Sequence, residues 1–163
     1  MRKFSNPLKQ RFISQYPETL ICTSDINNRC KFNLSFFDKT QDHGSDFSDL
    51  SIETLSEIQA KIVNFTAHHL NYWRNQRCGS QGLKIYEDYP CFPKKTNFIF
   101  PKFVPNDAHW GRFRIDNLGR LVGFTIPGDA KNKTEKDEHP YDMNTFYLVF
   151  IDLEHNFYLT EKR

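Results

Sequence analysis

Long apolar runs are missing from this chain. No stretch approaches the ~20 residues of a membrane span, and the basic start MRKFSNPLKQRF is followed by no apolar signal core. Both features predict a cytoplasmic protein with no membrane partner. Cysteine is scarce: Cys22, Cys30, Cys78 and Cys91 form no C-x-x-C pair, and neither the Cys22/Cys30 nor the Cys78/Cys91 spacing fits a common zinc module. His68 and His69 are adjacent, so on a helix they point about 100° apart instead of chelating together. Four reduced, partly buried thiols are expected, with no metal, no cofactor and no disulfide. The seven glycines build no phosphate-cradling loop and no G-x-S-x-G elbow, and there is no internal repeat. Spacing picks out no hydrolase triad. Four cysteines and six histidines leave Cys–His catalysis open without selecting a pair. An excess of one charge is missing too: 22 Lys and Arg face 20 Asp and Glu, a net charge of +2. Any contact with RNA or DNA is thereby confined to a local patch.

Aromatic bulk is plentiful, with 16 Phe among 163 residues. A core can be built, and the length fits one domain, read as an N-terminal arm over 1–29 and a single α+β domain over 30–163. In the arm, Pro7 and Pro17 bracket a short helix around Leu8 to Gln15, and Phe4, Phe12 and Tyr16 pack onto the domain. Cys30 to Phe37 (CKFNLSFF) alternates as a half-buried strand, with Phe32, Leu34 and Phe36 on one face. Ser48 or Ser51 then caps an amphipathic helix carrying Ile52, Leu55, Ile58, Ile62 and Phe65 at helical spacing. After a break near Asn64 to Thr66, a second short helix places Trp73 in the core and leaves Arg74 and Arg77 solvated. Pro90, Pro93, Pro101 and Pro105 mark extended edge or loop, with a short strand at Lys84 to Tyr86. Aromatic residues there are expected to cover the sheet edge. Lys94, Lys95 and Lys102 form a basic cluster; interleaved with aromatics, they suit following an RNA strand, and a packed surface arm is the simpler reading.

The last third organises the rest. In RFRI, Phe113 and Ile115 alternate with Arg112 and Arg114, which puts both arginines on one face. Asp116 to Gly119 (DNLG) has turn chemistry, with the final glycine free to take a positive φ. Leu121 to Ile126 and Phe146 to Ile151 are apolar on both faces, as central strands are. The expected fold is α+β: a single antiparallel sheet packed against two helices in the order β-α-α-β-β-β, with a long polar loop at 127–144. His139 lies in that loop, which has the character of a lid or an insertion. Arg112, Arg114, Arg120, His109, His155 and Tyr158 then lie at or near one sheet.

RFRIDNLGRLVGF followed by IDLEHNFY resembles the RelE/ParE-like toxin fold over the C-terminal strands. That resemblance implies a toxin-like endoribonuclease (an mRNA interferase of toxin–antitoxin or phage-defence systems), with RNA, free or as ribosome-bound mRNA, as substrate and an antitoxin protein as partner. It also implies that Arg112, Arg114 and Arg120 hold the scissile phosphate and that His155 and Tyr158 match the terminal His and Tyr of the final strand. The proline-rich arm and the 127–144 loop are additions that the small toxins lack. The implied chemistry is metal-independent RNA cleavage by 2′-hydroxyl attack on phosphate. His155 acts as acid or base, the arginines neutralise the phosphate, and Tyr158 or His109 takes the second proton-transfer or orienting role. Two other readings stand beside it. In one, Arg112 and Arg114 pair with acids such as Glu154 or Asp152, and His155 caps a strand end. In the other, the protein is a non-catalytic nucleic-acid- or protein-binding module of a mobile-element or phage-defence locus. A further possibility is an antitoxin-like or inhibitor protein whose exposed edge strand pairs with a partner, with Cys30 to Phe37 as that edge.

Overall fold

The computed structural model describes residues 6–15, 20–79, 82–128 and 141–159. After α1 (Pro7–Ile13) and strand β1 (Lys31–Asn33) come α2 (Ile52–Phe65) and α3 (Leu70–Asn75). Four strands follow: β2 (Tyr86–Tyr89), β3 (His109–Arg114), β4 (Arg120–Thr125) and β5 (Thr145–Asp152). All five strands form one open sheet in the order β1-β5-β4-β3-β2. From β2 to β5 the sheet is an antiparallel meander, but β1 lies parallel to β5, with Phe32 opposite Phe146. The fold is α+β, yet the sheet is mixed where hairpin signals predict it to be wholly antiparallel, and it holds five strands instead of four. Hairpins dictate direction only between strands joined by short turns, and β1 reaches β5 through the rest of the domain.

The strand predicted over Cys30 to Phe37 is cut short. Phe37 N donates to Leu34 O at 3.0 Å, and this turn sends Phe32 to the helix side of the sheet and Phe36 to the opposite side. The helices follow their signals more closely. Ser51 caps α2 by accepting from Thr54 N at 3.1 Å, and Ile58 and Phe65 are buried against the sheet while Ile52 faces solvent. His69 caps α3 through Nδ1, which accepts from Tyr72 N at 2.9 Å. Trp73 is core, as its pattern predicts; its indole N–H donates to Phe65 O at 2.7 Å, locking the α2–α3 corner. Arg74 is not simply solvated: its Nε and Nη2 reach both carboxylate oxygens of Asp88 in β2 at 2.8 and 3.2 Å. α1 buries none of its residues. Of the aromatic residues predicted to tie the arm down, Phe4 and Tyr16 lie outside the described residues and Phe12 is exposed.

Each face of the sheet carries its own core. On the helix side, Phe113, Leu121, Phe146 and Ile151 pack with Phe65 and Trp73. The other side holds Trp110, Val122, Phe124 and Phe150. The proline-rich segment covers that second face, not the edge: Phe98 stacks on Phe150 with centroids 4.6 Å apart, and Phe92 meets Trp110 edge-on at 4.8 Å. Two glycines permit close approach. A Cβ at Gly111 would run into the Tyr86 hydroxyl, and one at Gly123 into the carbonyl oxygen of Tyr147, beside the register shift between Val122 and Gly123. His139 and residues 129–140 of the long polar loop lie outside the described residues.

Candidate anion-binding cleft

Strand alternation sets the site. Phe113 and Ile115 point into the helix-side core, so Trp110, Arg112 and Arg114 share the other face. Antiparallel register then places Arg114 directly opposite Arg120 and Arg112 opposite Glu87. Trp110 lies under the proline-rich cover, and toward the β3–β4 hairpin the arginines open into a cleft of about 450 Å³. Arg112, Arg114, Arg120, His155 and Tyr158 line it together with Glu87 and Tyr89.

Placing Arg114 against Arg120 sets like charges opposite each other, which is unfavourable by itself. Arg120 is also 2% exposed, and a buried guanidinium ordinarily has a carboxylate partner. Here it has none. Nη1 donates to Gly119 O at 2.7 Å and Asp116 O at 3.2 Å, and Nη2 to Asn117 O at 3.2 Å, all carbonyls of the hairpin turn. Nε is buried with no acceptor. Burial, then the neighbouring Arg114 and Arg112, push its pKa down to about 10. Arg114 meets only carbonyls, those of Lys84, Asp116 and Asn117, at 3.4 to 3.5 Å. Among the described residues no carboxylate forms an ion pair with any of the three. The alternative pairing of Arg112 and Arg114 with Asp152 or Glu154 is therefore not realised. Asp152 is fully buried and serves the backbone: Oδ1 accepts from Glu154 N at 3.2 Å and Asn156 N at 3.0 Å, and Oδ2 from Phe157 N at 2.8 Å.

That turn aims His155. The residue has a φ of 62°, a left-handed conformation uncommon for a side chain with a Cβ. Its Nε2 lies 2.8 Å from Arg112 Nη1. A guanidinium only donates, so Nε2 accepts and the imidazole is neutral. Burial, followed by the charges of Arg112 and Arg120, holds its pKa below the ordinary value. On the same wall Tyr158 stacks on Tyr89 with centroids 5.3 Å apart and planes at 26°. The Arg112 guanidinium carbon is 5.9 Å from the Tyr89 ring centre. Glu87 is held by Lys84, whose Nζ lies 2.9 Å from Oε1.

Five of the six sequence-selected catalytic candidates thus meet in one cleft. His109 does not: it begins β3 at the far end, on the helix-side face by alternation. Lys94, Lys95 and Lys102 are exposed and do not line the cleft, although Leu159 N donates to Lys95 O at 3.0 Å and brings that stretch beside the Tyr158 wall. Sequence reading overlooked Glu87 and Tyr89. Their signal was the alternation in YEDY, masked by the prolines that follow. The turn at Asp116 also differs from expectation. Gly119 takes no positive φ, because Asp116 Oδ1 closes the turn by accepting from Leu118 N at 2.8 Å and Gly119 N at 2.6 Å. Among the cysteines only Cys30 is buried, and burial pushes its thiol up to about 12. Among the described residues, no group of three or more His, Cys, Asp and Glu is placed to hold a metal, and no helix is long and apolar enough to cross a membrane. Comparison with protein-family models, curated proteins and solved structures returns no match to this chain.

Proposed function

We propose that the cleft binds RNA at a phosphodiester and cleaves it without a metal, by attack of the 2′-hydroxyl on the adjacent phosphorus. One observation carries this reading: among the described residues, three guanidinium groups form no ion pair with a carboxylate, and one of them, Arg120, has a buried Nε–H with no acceptor there. Phosphate oxygens supply the missing acceptors, and arginine forks suit them bidentately. In the proposed step, Glu87 takes the 2′-hydroxyl proton as the 2′-oxygen bonds phosphorus. The P–O5′ bond breaks, leaving a 2′,3′-cyclic phosphate, and the departing 5′-oxygen takes a proton from the His155 imidazolium. A phosphate that draws Arg112 away frees Nε2, and its negative charge favours protonation there. Arg112, Arg114 and Arg120 neutralise the phosphorane-like charge. Tyr158, stacked on Tyr89 and 40% exposed, offers a face to the neighbouring base. The RelE/ParE-like resemblance extends the proposal to a toxin-like setting, with free or ribosome-bound mRNA as substrate and an antitoxin as partner.

A second reading has its own support. Arg112 already engages the Nε2 lone pair of His155 at 2.8 Å, an arrangement that positions an arginine for affinity and involves no proton transfer. Incubating purified protein with single-stranded RNA, both free and as ribosome-bound mRNA, separates the two. For the nuclease, cleavage products carry 2′,3′-cyclic phosphate ends. His155→Ala and Glu87→Gln each lower the rate by about 10²–10⁴-fold and leave affinity nearly unchanged, and Arg112→Ala/Arg114→Ala weakens binding as well. Arginine-dependent binding with intact RNA would instead establish a non-catalytic module.

A further inference from the structure

A second groove, of about 460 Å³, adjoins the arginine cleft between the C-terminal half of α2, the loop that precedes β2 and the β3–β4 hairpin. The two share Leu83, Arg114 and Asn117 as a common wall, so Arg114 faces both. Across the groove stand Lys61 and Asn64, three residues apart and therefore on the same side of α2. Among the described residues no carboxylate pairs with Lys61. The one acid lining the groove, Asp116, has Oδ1 engaged by two backbone N–H groups of the hairpin turn. The groove thus continues the excess of positive charge out of the cleft and adds two side-chain amides able to donate or accept.

We propose that this groove seats the nucleotide adjoining the scissile one, so that the ligand is single-stranded RNA held across two subsites. Lys61 and Arg114 contact the second phosphate, while Asn64 and Asn117 face its sugar and base. A single strand fits because its unstacked nucleotides can be splayed into separate concavities, which a duplex does not allow. The inference rests on the cleft binding RNA.

Fluorescence anisotropy with 2′-O-methyl RNA, which blocks the attacking oxygen, tests it across a salt series. The probes are a dinucleoside monophosphate, which carries one phosphate, and an octanucleotide. For the octanucleotide, Lys61→Ala is expected to weaken binding about 5–10-fold and to flatten the slope of log K against log salt by ~0.7. The dinucleoside should bind that variant as it binds wild type, and Arg112→Ala should weaken both probes. Octanucleotide binding that depends on Arg112 but not on Lys61 overturns the second subsite and leaves the cleft reading intact. Equal losses on both probes with Lys61→Ala overturn it as well. If wild type binds neither probe, the subsite and the RNA reading fall together. Lys61→Glu, at a surface position that does not threaten folding, is expected to enlarge every effect of Lys61→Ala on the octanucleotide.

Discussion

The contact between Arg112 and His155 makes the cleft sensitive to acid. His155 has a lowered pKa in the folded protein, against an ordinary value of about 6.5 in the unfolded chain. Above that ordinary value both states are neutral at this residue, and its contribution to stability is fully present. As pH falls below it and through the lowered folded value, the unfolded chain takes up a proton more readily than the folded one, and stability is lost. The melting temperature should therefore fall between about pH 7 and about pH 5 more steeply in wild type than in His155→Asn, a replacement that tolerates left-handed backbone. Arg120→Ala is expected to destabilise by about 2–4 kcal/mol in urea unfolding, because the carbonyls of Asp116, Asn117 and Gly119 lose their charged donor. Residues of this kind were only partly legible in the sequence. Period-two alternation alone puts Arg112 and Arg114 on one face. The pairing of Arg112 with His155, 43 residues further along the chain, was not readable, since it depends on a turn aimed by the buried Asp152 carboxylate.

Elements were legible where burial is two-sided and obscure where a turn intervenes. β4 and β5 announce themselves as continuous apolar runs, and both are wholly or almost wholly buried. α2 shows its N-cap and its apolar stripe. β1 is shorter than its alternation predicts, because alternation persists through Leu34 to Phe36 while the backbone has already turned. Parallel pairing of β1 with β5 leaves no mark in either strand, for neither the alternation of β1 nor the apolar run of β5 encodes a direction. Two substitutions check the packing of these elements. Trp73→Phe removes the indole donor to Phe65 O at the α2–α3 corner and should cost about 1–3 kcal/mol by chemical denaturation. Gly111→Ala places a methyl group against the Tyr86 hydroxyl, so β2 must shift from β3. A comparable loss of about 1–3 kcal/mol is expected, together with a weakened grip on ligands, since β2 carries Glu87 and Tyr89.

On the scale of the whole molecule, uncompensated positive charge gathers in one place although the chain is nearly neutral. Inorganic phosphate or sulfate should therefore raise the melting temperature of wild type by mass action, and this stabilisation should vanish in Arg112→Ala/Arg114→Ala; chloride at matched ionic strength provides the control. Composition foretold that a basic site would be a patch, and only the fold decides which arginines meet. The position of β5 has a consequence for how the protein comes into being. β5 lies between β1 and β4, so before it is synthesised the first strand and the β2–β4 meander have no strand through which to pair. His155 and Tyr158 follow β5 directly. The cleft is thus the last part of the described chain to be assembled, after the sheet has closed. A growing chain that has emerged only as far as β4 already carries all three arginines, but neither the imidazole nor the tyrosine stack, so the cleft stays open on that side until β5 and the turn after it are made.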